Sequence, residues 1–275
     1  MDASDGPYAV MRGVVAAILL ALAGCAVPPT AREPPLSYPP SARDRMIRIA
    51  IAEWEDWGRL TPETVPPRAE GQTANFPRVM AYWRALDPGA DAGAIALNRA
   101  RYANGAGDVW DDPPWSAAFI SFVMRSAGVD AREFPPSASH SSYVDAMIRD
   151  AREFPDRAPF IPHDPAERAP ETGDMICADR SRHPIADWRE RAADAGRFRP
   201  MHCDIVVATG PGRVETIGGN LRDAVTRVTL PVDASGRLVL VPGANPRIFA
   251  IFENRLGRLP PWRPAPPLSQ GTPIS

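Results

Sequence analysis

The apolar pattern changes period near the middle of the chain, and that change limits the fold more than any other feature. Residues 41–154 carry apolar side chains at helical spacing. Ser41, Ala42, Arg43 and Asp44 suit a helix start, and Met46, Ile47, Ala50, Ile51 and Trp54 follow on one face. Val79, Met80, Trp83 and Leu86 predict a second helix. A third is expected over 115–127, stopped by Gly128, and a fourth over 139–154. Beyond residue 170 the apolar runs shorten and fill with Val, Ile and Thr. The segments 174–178, 203–209, 214–218, 225–230, 238–241 and 248–252 read as strands, punctuated by Gly, Pro or Asn. Helices first and strands second predict an α+β domain, with N-terminal helices packed on an antiparallel sheet.

The two ends of the chain read differently. Arg12 precedes an aliphatic run over 14–22, which is too short to span a hydrocarbon layer of about 30 Å. Leu22-Ala23-Gly24-Cys25 follows it. That order resembles the lipobox of bacterial lipoproteins. The resemblance implies cleavage before Cys25, a diacylglycerol on its thiol, and attachment to a membrane. Residues 26–40 contain Pro-Pro three times and favour an extended chain with no core. The expected division is therefore a signal peptide over 1–24, a Pro-rich tether over 25–41, a folded domain over 42–258 and a Pro-rich tail over 259–275. Ala26 stands after the Cys where Asp would signal retention, so by resemblance to enterobacterial sorting the expected site is the periplasmic face of the outer membrane.

The net charge of −2 offers no basic stripe and speaks against nucleic acid as a partner. Every cation is Arg, which reads as coding bias. An exported chain meets oxidising conditions. Cys177 and Cys203 fall near equivalent positions of two strands expected to pair, so they form either a disulfide or two buried thiols. His140, His202, Cys203 and Asp204 carry donor atoms, but no pair has metal-ligand spacing, and no metal or cofactor is expected. His163 and His183 lie in Pro- and Arg-rich segments and are expected to be solvated.

The chemistry-bearing residues sit where the two patterns meet. Ser116, in the first turn of the third helix, lies among unpaired backbone N–H groups at the positive end of the helix dipole. Thr172-Gly173-Asp174 is a turn feeding a strand, with Asp174 expected to fix the turn. His202 opens the next strand, and Asn220 follows two glycines after another. Asn220 there either orients the imidazole or simply tolerates a left-handed turn. His140 opens the fourth helix, where it caps the helix or lines the same groove as Trp115 and Asp204.

This order of pieces resembles the papain-like cell-wall peptidases of the NlpC and CHAP type. Closer still, the chain is similar to the bacterial DUF2272 family. The residues that carry the likeness are Trp115 to Ser121, Ser139 to Tyr143, Gly173-Asp174, His202 to Val206 and Gly218-Gly219-Asn220, within roughly 43–254. The resemblance implies a papain-like domain acting on, or binding, peptidoglycan or its peptide stems. It places Ser116 as nucleophile, His202 as base and Asn220 as the residue that orients His202. The cell-wall peptidases carry Cys where this chain has Ser116. A thiol at such a position ionises in advance, whereas a hydroxyl needs a His within about 3 Å to take its proton. Ser116 therefore belongs to a serine-type triad or to a groove that only binds.

Overall fold

The computed structural model describes residues 32–86, 92–105, 109–110 and 114–258. Cys25, the leader, most of the expected tether and the expected tail lie outside them. Among the described residues, no helix is long and apolar enough to cross a membrane.

The helices come first. Helix α1 (Ser41–Asp56) buries Ala42, Met46 and Ala50, four residues apart, on one stripe. A single 3-10 turn (Ala69–Gly71) leads to α2 (Phe76–Arg84). Helix α3 (Ala92–Ala103) was not evident in the sequence, where its Ala-rich run shows little apolar contrast. Helix α4 (Ser116–Ser126) is buried on nearly every side. It stops where expected: Gly128 takes a φ of 86°, and Arg45 donates to the free carbonyl of Ala127. Helix α5 (His140–Glu153) and the short α6 (Trp188–Ala193) follow.

Among the described residues six strands make one sheet, β1 (Phe160–His163), β2 (Met175–Asp179), β3 (Met201–Gly210), β4 (Arg213–Gly218), β5 (Thr226–Pro231) and β6 (Arg247–Asn254). Their order is β1-β6-β2-β3-β4-β5, and every neighbouring pair is antiparallel. The domain is thus α+β with an antiparallel sheet. Helices α1 and α4 lie against β3 and β4, while α5 lies against β1 and β3. Met175, Cys177, Cys203, Ile205 and Ile217 join the helices in the main core. Alternate residues of the same strands, Ile176, Val206 and Ile251, build a second apolar cluster with Val214 and Leu238.

Two expectations change, and one gains a contact. Residues 238–241 are not a strand. Leu238 makes one bridge to Val232, and Val239, Leu240 and Val241 turn outward before Pro242, which has no N–H to extend a ladder. Strand β1 carries His163, which is partly exposed and also lies 3.0 Å from Glu253 Oε2 across the β1–β6 pair. The end of the Pro-rich segment is not free. Glu133 is buried, and its two oxygens accept from Leu36 N–H at 3.0 Å and Tyr38 O–H at 2.6 Å. A buried carboxylate needs such donors, so the chain is fastened to the domain several residues before α1 starts.

Cys177 and Cys203 face each other directly across β2 and β3 and are joined as a disulfide, both fully buried. Asp174 fixes its turn, accepting from Glu171 N–H at 2.9 Å and from Asn254 N–H at 3.0 Å.

Candidate active site at the start of helix α4

Helix α4 begins at Ser116, so the Ser116 N–H and the two after it belong to the turn that has no helical acceptors. Trp115 stands just before it, with its ring fully buried. The indole N–H donates to Glu70 Oε2 at 2.6 Å, and the ring lies 5.5 Å from those of Trp57 and Tyr82. Trp115 therefore does not line a groove. It anchors the start of α4 in the core, because an indole of that size gains most when buried with its N–H satisfied.

Ser116 Oγ lies 2.7 Å from His140 Nε2. This is a correction to the expected triad: the imidazole beside Ser116 comes from the start of α5, not from β3. The other nitrogen, His140 Nδ1, is in short contact with the Tyr143 hydroxyl. Tyr143 is three residues on from His140 in the same helix, a spacing that puts both side chains on one face. Tyr143 had no role among the residues expected at the site. The His-x-x-Tyr spacing at a helix start was the signal available.

His202 Nε2 is held instead by Asp204 Oδ1 at 2.9 Å. Residues two apart on a strand share a face, which explains why this pair forms within β3. Gly218 on β4 keeps the space open. A Cβ there would overlap Asp204 Oδ1 and lie 3.0 Å from His202 Nε2. At Gly219 a Cβ would come within 2.6 Å of Phe119 and 2.9 Å of Trp115. Asn220 follows with a φ of 57°. It does not orient His202, whose Nε2 is taken by Asp204 and whose Nδ1 is buried without a partner. Its left-handed backbone marks it as the turn residue after β4.

The two imidazoles are neighbours, with ring centroids 5.4 Å apart. Burial pushes the His140 pKa well below the ordinary 6.5, and the nearby charges of His202 and Arg180 push it the same way. His140 is thus neutral at pH 7. Burial, reinforced by Asp204, raises the Tyr143 hydroxyl well above its ordinary value, so it stays protonated. The constellation is a Ser beside a neutral His at a helix start, flanked by a His–Asp pair. Ser116, His140 and His202 retain only 7 %, 5 % and 6 % of their surface. Among the described residues, no group of three or more His, Cys, Asp or Glu is placed to hold a metal ion.

A protein-family model described as an uncharacterized protein conserved in bacteria (DUF2272) matches residues 70–249. That span contains every residue of the constellation. No curated protein and no solved structure matches the chain.

Proposed function

The chain belongs to the DUF2272 family, and from that premise we propose that it is a lipid-anchored cell-envelope hydrolase of papain-like type, cleaving an amide bond of peptidoglycan peptides. The observation that carries the reading is the 2.7 Å contact between Ser116 Oγ and the neutral His140. The order of the motifs and the lipobox at Cys25 supply the compartment and substrate class.

The chemistry follows from the roles of the two His140 nitrogens. When Nδ1–H donates to the Tyr143 oxygen, Nε2 presents a lone pair to the Ser116 hydroxyl. Ser116 Oγ then bonds to the amide carbonyl carbon as its proton passes to Nε2. The oxyanion meets the free N–H groups of the first turn of α4. His140 returns the proton to the leaving nitrogen as the C–N bond breaks, and water later hydrolyses the ester. In the opposite tautomer Tyr143 donates to Nδ1, and Nε2–H points at Ser116 and cannot act as base. Tyr143 therefore selects between a working and an idle state.

A second reading is a non-catalytic lipoprotein that binds cell-wall peptide in the same groove. Ser in place of the thiol of the cell-wall peptidases favours it. The deciding experiment incubates the purified protein with muropeptides and, separately, with a fluorophosphonate, beside Ser116→Ala and His140→Ala. Hydrolysis and Ser116 labelling by the wild type alone support the enzyme. Equal turnover by all three proteins rules out this site. Peptide binding with no turnover and no labelling selects the second reading.

A further inference from the structure

Beside Ser116, His202 Nδ1 is buried without a partner, and the His202 side chain keeps only 8 % of its surface. Arg180 follows β2 directly. Its N–H donates to Pro200 O at 2.8 Å, continuing the ladder one step past Asp179↔Met201. Ala178 is paired with His202, and strand alternation places Arg180 on the same face as that pair. Arg180 is exposed, and among the described residues its guanidinium has no ion-pair partner. It lies close enough to His140 to act on it electrostatically. The one carboxylate of the cluster, Asp204, is already bound to His202. The first turn of α4 adds its positive dipole end. An Arg without an ion-pair partner thus stands beside a helix start and a buried unpaired imidazole nitrogen, in a chain of net charge −2.

We infer that Arg180 and His202 Nδ1 bind a carboxylate, and that the site takes the free C-terminus of a peptide. The inference rests on the hydrolase reading for its chemistry. In the acyl transfer the carbonyl attacked by Ser116 is that of the penultimate residue. The C–N bond to the last residue breaks, and the leaving amine is a free amino acid. Its carboxylate accepts from the Arg180 guanidinium and from Nδ1–H of His202, whose ring takes up a proton from water as the carboxylate arrives and so becomes an imidazolium held between it and Asp204 Oδ1. No reactant beyond water is needed.

The test uses Nα-acetyl-Lys-D-Ala-D-Ala as the free acid and as its C-terminal carboxamide, peptides that differ only at the terminal carboxylate. Binding to the full-length Ser116→Ala protein is measured first by calorimetry, so that affinity is read without turnover. A charge-assisted contact of this kind predicts a preference for the acid of about tenfold or more. Arg180→Gln in that background removes the preference and leaves amide binding unchanged. In the wild type, the same substitution raises KM for the acid about tenfold and leaves kcat within about twofold. Equal affinity for acid and amide, no binding of either, or an unchanged preference in Arg180→Gln overturns the inference. Acid-selective binding without wild-type turnover or fluorophosphonate labelling upholds the carboxylate site and removes the hydrolase instead.

Discussion

Acidification tests the electrostatic state of His140. In the unfolded chain an exposed imidazole titrates near 6.5. In the fold, burial together with His202 and Arg180 holds His140 well below that value. The unfolded state therefore binds the proton first as pH falls. The stability contributed by neutral His140 is complete above about pH 6.5 and is lost progressively below it, down to the depressed folded pKa. Over that window one proton is taken up on unfolding. The unfolding constant then rises up to tenfold for each pH unit, equivalent to about 1.4 kcal/mol. For a domain whose total stability is about 5–15 kcal/mol, a drop from pH 7 to pH 5 is readily measured. The assay is urea denaturation of the wild type and of His140→Gln at half-unit steps between pH 5 and 7.5. Other groups titrate in both proteins, so the pH dependence of their difference isolates His140. The expected curve has the wild type losing ground on His140→Gln by that slope below pH 6.5. Parallel curves refute the reasoning, because they mean His140 titrates alike in folded and unfolded chains.

Two further outcomes follow from the packing around β3. Gly218→Ala places a methyl group where Asp204 Oδ1 now lies, so the carboxylate has to leave His202 Nε2. The expected cost is about 1–3 kcal/mol in urea, with a shift of the His202 imidazole signals in NMR, and unchanged His202 signals would contradict the assigned contact. Reducing the Cys177–Cys203 disulfide, or replacing both residues by Ser, removes a crosslink between positions 26 apart. Chain entropy predicts a loss of about 3–4 kcal/mol, read as a lower denaturation midpoint. A midpoint insensitive to reductant, with free thiols confirmed by alkylation, would refute it.

The local features of the site were legible in the sequence. Ser116 at a helix start followed from the apolar run after it and the stop at Gly128. His202 at the mouth of a strand followed from the Val- and Ile-rich residues beyond it. Pairing of Cys177 with Cys203 was one of two readings, and the register of β2 on β3 decided it. The α+β order came from the change of period. Helix α3 escaped notice because an Ala-rich face looks alike all round, and the run 238–241 imitated a strand because its Val and Leu residues are exposed without a ladder.

The pairing of Ser116 was not legible. Two imidazoles approach the same helix start, from α5 and from β3, and their sequence positions rank neither above the other. The geometry turns on non-local facts: Asp204 holds His202, Gly218 leaves room for that contact, and the start of α5 delivers His140 to Ser116. Arg180 was equally silent, since one Arg among 31 cations carries no signal until the register of β2 on β3 sets it on the same face as His202. The sequence by itself determined the change from helices to strands and the places of α1, α4 and α5, because hydrophobic period and capping act between near neighbours. Only the tertiary structure decided which histidine meets Ser116 and which charges surround it, because hydrogen bonds and electrostatics act through space between residues that the chain keeps far apart.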